Sequence, residues 1–113
     1  MLTISIEDKW ADTLRLFGDV DQVVNQALRA YFIEQCQQRI DQVSAKIAVY
    51  NQKYHRDYHN FKHSIQTDED FLVKVEAQNP LWEEDAMEWE YWLEEQQTWQ
   101  DRFVDYLRED NYL

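Results

Sequence analysis

The chain holds one glycine, one proline and one cysteine in 113 residues. One glycine cannot build a phosphate-cradling loop, which needs several closely spaced glycines. It is also too few for a protein of many strands and tight turns. A single proline excludes collagen-like and proline-rich classes. Cys36 has no partner for an intrachain disulfide, which points to a reducing cytoplasm rather than a disulfide-stapled secreted module. No apolar run approaches the roughly 18 residues of a membrane span, and no basic stretch followed by an apolar run marks a signal segment at the N-terminus.

Positive charge is scarce in one half only. The formal net charge is -12. Residues 1–63 balance eight Lys/Arg against eight Asp/Glu, whereas residues 64–113 set three basic residues against fifteen acidic ones. The acidic half repels nucleic acid and suits a basic protein partner. What the chain has in quantity is aromatic residues, at 15% of the total. That content is unusual for a disordered acidic tail. The composition therefore predicts a mostly α-helical fold.

Residues 2–6 alternate apolar Leu2, Ile4 and Ile6 with polar Thr3 and Ser5, the period of a short strand. A lone strand needs an edge, and the rest of the chain offers none, so the same strand from a second chain is the expected partner. Trp10, Leu14 and Phe17 then recur at helical spacing, and Gly18 stops that helix. Asp19 and Gln22 form a capping pair for the next one. Its broad stripe runs through Val20, Val23, Val24, Ala27, Leu28, Tyr31 and Phe32. Beyond it Cys36, Ile40, Val43, Ile47, Tyr50 and Tyr54 make a two-position coiled-coil seam. The pattern predicts a helix from about residue 19 to beyond 61, with a break near 33–36 or 55–64. A short helix through Phe71, Leu72 and Val75, capped by Thr67, follows. Asn79-Pro80 opens a last helix over about 81–107. Its apolar stripe is Trp82, Ala86, Trp89, Leu93, Gln96, Trp99, Phe103 and Tyr106, widened by Met87, Trp92 and Leu107.

Few residues suggest chemistry. His55, His59 and His63 recur every fourth position and could hold a metal on one helix face. A partly exposed row that gains charge near pH 6 explains them as well. Cys36 lies on the apolar stripe and reads as packing rather than as a nucleophile. No Ser-His-Asp set or placed carboxylate pair is evident. The expected protein is not an enzyme and needs no cofactor or metal. Trp82, Trp89, Trp92 and Trp99 lie among Glu84, Glu88, Glu95 and further acids. Large aromatics ringed by carboxylates suit an interface with a basic partner. The same tryptophans could equally fill the core of a homodimer or bundle.

The order strand, helix, glycine, helix, with Val23, Val24, Ala27, Leu28, Tyr31 and Phe32 in the second helix, resembles the ribbon-helix-helix domain of bacterial antitoxins and small repressors. The resemblance covers residues 2–32. It implies a homodimer whose paired strands enter the major groove of double-stranded DNA. Thr3 and Ser5 would face outward there, the helix start at Gly18 would face a phosphate, and Arg15 and Arg29 would supply positive charge. It also implies an operator-binding, autoregulating antitoxin whose C-terminal extension blocks a basic toxin. The expected organisation is a ribbon-helix-helix-like module over residues 1–48 and an acidic, aromatic-rich helical extension over residues 49–113. Two alternatives stand beside it. One is a cytoplasmic scaffold or adaptor dimer without a DNA role, and the other a small metal-binding protein using the histidine row.

Overall fold

The computed structural model describes residues 3–109. They form α1 (Asp8–Arg15), α2 (Val20–Tyr54), α3 (Tyr58–Thr67), α4 (Glu69–Gln78) and α5 (Trp82–Glu109). The radius of gyration is 22.0 Å and the extents are 68 × 27 × 24 Å. A compact domain of this length would have a radius near 13 Å, so the molecule is a rod. The rod is an antiparallel hairpin of the two long helices, closed at one end by α3 and α4.

Each boundary has a local cause. Helix α1 closes with Leu16 and Phe17 N–H donating to the carbonyls of Thr13 and Leu14. Gly18 then turns the chain at φ +138°, a backbone angle that L side chains rarely adopt. Asp19 caps α2 by accepting from the Gln22 N–H at 3.2 Å. At the far end of α2, His55 takes the left-handed conformation, with φ 56° and ψ 31°. This is the position that glycine or asparagine usually fills. Asp57, which continues the coiled-coil seam in sequence, instead caps α3, accepting from Asn60 N–H at 2.8 Å. Asp68 closes α3 and caps α4 through Phe71 N–H at 3.2 Å. Thr67, the expected cap, donates its hydroxyl back to the His63 carbonyl. Asn79 accepts from Trp82 N–H at 3.0 Å as α5 begins.

The seam of α2 packs as its spacing predicts. Cys36, Val43, Ile47 and Tyr54 are buried, and Ile40 and Tyr50 are half-buried. On α5 all eight positions of the apolar stripe are buried or half-buried, while Met87 and Leu107 are exposed. The main core lies at the closed end. Val43, Ile47, Tyr54, Phe61, Val75 and Trp89 form it, with Trp82, Trp92 and Leu93 packed against its margin. Phe61 touches the rings of Tyr54, Phe71, Trp82 and Trp89, which fastens α3 to α2, α4 and α5 together.

One expectation is corrected. The strand-helix-helix module of a ribbon-helix-helix dimer is not the fold. Residues 3–7 form no strand, and among the described residues there is neither strand nor sheet. An isolated five-residue alternation gains no ladder hydrogen bonds without an edge to pair with. Ile4 and Ile6 are exposed rather than sunk in an intertwined core. Leu2 lies outside the described residues. Of the two breaks expected in the helix from residue 19, the one at 55–64 is found, with α2 ending at Tyr54 and α3 starting at Tyr58, while α2 runs unbroken through residues 33–36.

Candidate protein-docking surface

Three tyrosines, each four residues after the last, surround the buried Trp89. Tyr50 and Tyr54 stack on its indole at 5.8 and 5.7 Å, and Tyr58 meets it edge-on at 5.3 Å. Each hydroxyl donates to a carboxylate of α5. Tyr50 bonds Glu88, Tyr54 bonds Asp85 at 2.5 Å, and Tyr58 bonds Glu90 at 3.1 Å. Burial, the hydrogen bond to Glu88 and the charges of Glu88 and Asp85 push the Tyr50 phenol up to about 12. Burial first, then the bonded carboxylate, also raises Tyr54 and Tyr58. Asp85 shifts the other way. Burial raises its carboxyl, but hydrogen bonds from Lys53 at 2.6 Å and from Tyr54 outweigh that and hold it below the usual carboxylate range.

A row of cations runs beside the tyrosines. Arg39, Lys46 and Lys53 are seven residues apart, so they share one edge of α2. Arg39 lies over Trp99 at 5.7 Å and Lys46 over Trp92 at 5.7 Å, while Lys53 pairs with Asp85. The seven-residue recurrence of these cations was visible in the sequence, and it is the signal that composition and motif reading passed over.

These contacts assign the tryptophans. Trp89 is 0% exposed and belongs wholly to the core. Trp82 lies against Phe61, and Trp92 and Trp99 are half-buried beneath cations of α2. Trp99 also donates its indole N–H to Glu95 at 3.3 Å. The outward side of α5 presents Met87 and Tyr91 instead, 73% and 51% exposed and one turn apart. Glu83, Glu84, Glu88, Glu90 and Glu94 surround them and are exposed. Glu88 and Glu90 accept the tyrosine bonds just described. Among the described residues none of these five has an ion-pair partner, whereas Asp85 pairs with Lys53. The result is a carboxylate-rich strip with two apolar anchors and no cation of its own.

The residues expected to meet DNA are scattered. Thr3 and Ser5 lie exposed in a segment without a strand, so no ribbon carries them. Arg15 is paired with Asp12 at 3.0 Å on α1. Gly18 occupies the turn, and the half-buried Arg29 donates to the Tyr106 carbonyl at 3.2 Å. The histidines do not form one row. His55 sits in the left-handed turn after α2, and only His59 and His63 share α3. Among the described residues no three His, Cys, Asp or Glu side chains come close enough together to hold a metal ion. A shallow cavity at the closed end is lined by Lys53, His55, Arg56 and Lys74. Of these, Lys53 stands in the last turn of α2, where it offsets the negative end of that helix. No described helix is long and apolar enough to cross a membrane. Comparison with protein-family models, with curated proteins and with solved structures finds no match.

Proposed function

We propose that this chain is a non-enzymatic protein-binding module that neutralises a basic protein partner, in the manner of an antitoxin, through the outward face of α5. The observation that carries this reading is the set of exposed carboxylates, Glu83, Glu84, Glu88, Glu90 and Glu94, which have no cation partner within the described chain. Met87 and Tyr91 supply apolar contact between them. Interfaces draw most of their affinity from a few such anchors, while the charges around them set specificity and encounter rate. The hairpin also suits the role mechanically. The tyrosine bonds to Glu88, Asp85 and Glu90 hold the face on a packed helix, which lowers the ordering cost of binding.

Affinity capture from native-host extract tests the proposal, with wild-type protein compared against a Glu84→Lys, Glu90→Lys, Glu94→Lys variant. The expected result is a basic protein held by the wild type, released by salt and lost from the variant. Expressed alone, that protein should arrest growth, and co-expression with the wild-type chain should relieve the arrest. Equal retention by both chains, or retention of no basic protein, would refute the reading. A captured basic protein without effect on growth would leave an adaptor rather than an antitoxin.

A further inference from the structure

The open end of the rod leaves a group of large apolar side chains uncovered. Phe17 is 75% exposed, Ile4 65%, Trp10 56% and Tyr31 55%, and Phe32 and Leu28 remain 44% and 40% exposed. Leu28, Tyr31 and Phe32 share one face of α2 at i, i+3, i+4 spacing. Trp10 lies in α1 and Phe17 just beyond its end, and α1 packs against α2. The Phe32 ring stacks on Tyr106 of α5 at 5.9 Å, so α2 meets both α1 and α5 at this end. Apart from Met87 and Tyr91 on α5, the exposed apolar residues away from this end, such as Val49 and Val73, are spread along the surface, which is ordinary for a folded chain.

We infer that this end seats a second copy of the same chain, helix against helix. Area is the first argument. With aromatic side chains of about 150–250 Å² each, these six exposures amount to roughly 700 Å². That sum is close to the roughly 800 Å² that each partner gives to a standard interface.

Charge is the second argument. Two chains of net charge -12 repel wherever their acidic halves face each other. The segments that meet at this end, residues 3–32 and 99–109, hold five Lys/Arg against eight Asp/Glu, whereas residues 64–98 hold one against eleven, so the apolar end is where two copies approach with least repulsion. Residues 28–32 and the acidic residues 83–94 lie toward opposite ends of a hairpin 68 Å long. End-to-end association therefore keeps the carboxylate strips several screening lengths apart, each length being about 8 Å at physiological salt. The same arrangement leaves both α5 faces open, giving two docking surfaces per dimer.

Sedimentation velocity of the full chain from about 1 to about 100 µM, in NaCl of about 0.05 and about 0.5 M, tests the inference. The expected species has twice the chain mass, and its population rises with salt because screening relieves like-charge repulsion. This sign is opposite to that of the α5 docking reaction, so the two proposals fail separately. Phe17→Ser alone, and Tyr31→Glu alone, should each weaken self-association at least about tenfold, as expected for a buried aromatic anchor. Both positions are solvent-exposed, so circular dichroism should report an unchanged helix content. Glu90→Lys on the α5 face should leave self-association intact. A single-chain mass across the whole range, or a dimer that both apolar-end variants leave unchanged, would overturn the inference.

Discussion

Asp85 joins α5 to α2 through two bonds of unequal worth, and replacing it with alanine separates them. Its carboxylate accepts from Lys53 at 2.6 Å and from Tyr54 at 2.5 Å. The Lys53 side chain is 43% exposed, so solvent screens that pair, and such pairs contribute about 0–1 kcal/mol. Tyr54 is buried, and a buried hydroxyl stripped of its acceptor costs about 1–3 kcal/mol. Asp85→Ala should therefore destabilise the fold by about 2–3 kcal/mol, most of it through Tyr54. Urea unfolding of Asp85→Ala, Tyr54→Phe and the double variant measures the coupling, which should reach about 1–2 kcal/mol. The matching cycle with Lys53→Ala should yield about 1 kcal/mol or less. The pH dependence has a definite sign. The folded carboxyl lies below its usual value, so its contribution is fully present above the unfolded value near 4. It fades as pH falls through the lower folded value, and the deficit of Asp85→Ala should shrink over that acidic interval. A Tyr54–Asp85 coupling indistinguishable from zero, or a Lys53–Asp85 coupling that exceeds it, would refute this account.

At the alkaline end the three phenols act together. Their raised folded values mean that stability is intact below the usual phenol value near 10. It is lost as pH rises from there through the folded values, about 12 for Tyr50, and a Tyr50→Phe, Tyr54→Phe, Tyr58→Phe chain should show a flatter denaturation profile. His55→Gly should stabilise the protein by about 0.5–1 kcal/mol, since glycine holds the left-handed turn after α2 without a side-chain penalty. A thermal midpoint that is unchanged or lower would show that the imidazole makes a compensating contact.

The two long helices were legible because the apolar stripe of each is periodic. The positions from Cys36 to Tyr54 and from Trp82 to Tyr106 carry the contact in their spacing, and Asn79-Pro80 marks where α5 begins. The break after Tyr54 was less visible. Asp57 continues the seam by register yet caps α3, and a sequence window cannot tell a cap from a polar seam position until the next helix is placed. The N-terminal reading failed for a related reason. Alternation over residues 2–6 describes which side chains share a face, but a strand exists only where a second backbone meets it. The stripe from Val23 to Phe32 was likewise consistent with an intertwined core and with the open end seen here. Among the tryptophans, Trp89 and Trp99 follow the apolar stripe, yet only the placement of Arg39, Lys46 and Phe61 shows what covers Trp99, Trp92 and Trp82. Whether an aromatic on an acidic helix faces a partner or its own chain depends on those long-range neighbours.

The ring cage around Trp89 also makes the protein an optical reporter of its own closure. Tyrosine passes excitation to a nearby indole, and Tyr50, Tyr54 and Tyr58 all lie within 6 Å of Trp89. Their own emission should be dark while the hairpin is shut and should brighten when α2 and α3 leave α5. Tyr91 provides an internal reference, because its contact is with the adjacent Trp92 in the chain and survives opening. Emission gained near the tyrosine band therefore reports the separation of the long helices specifically, without any label.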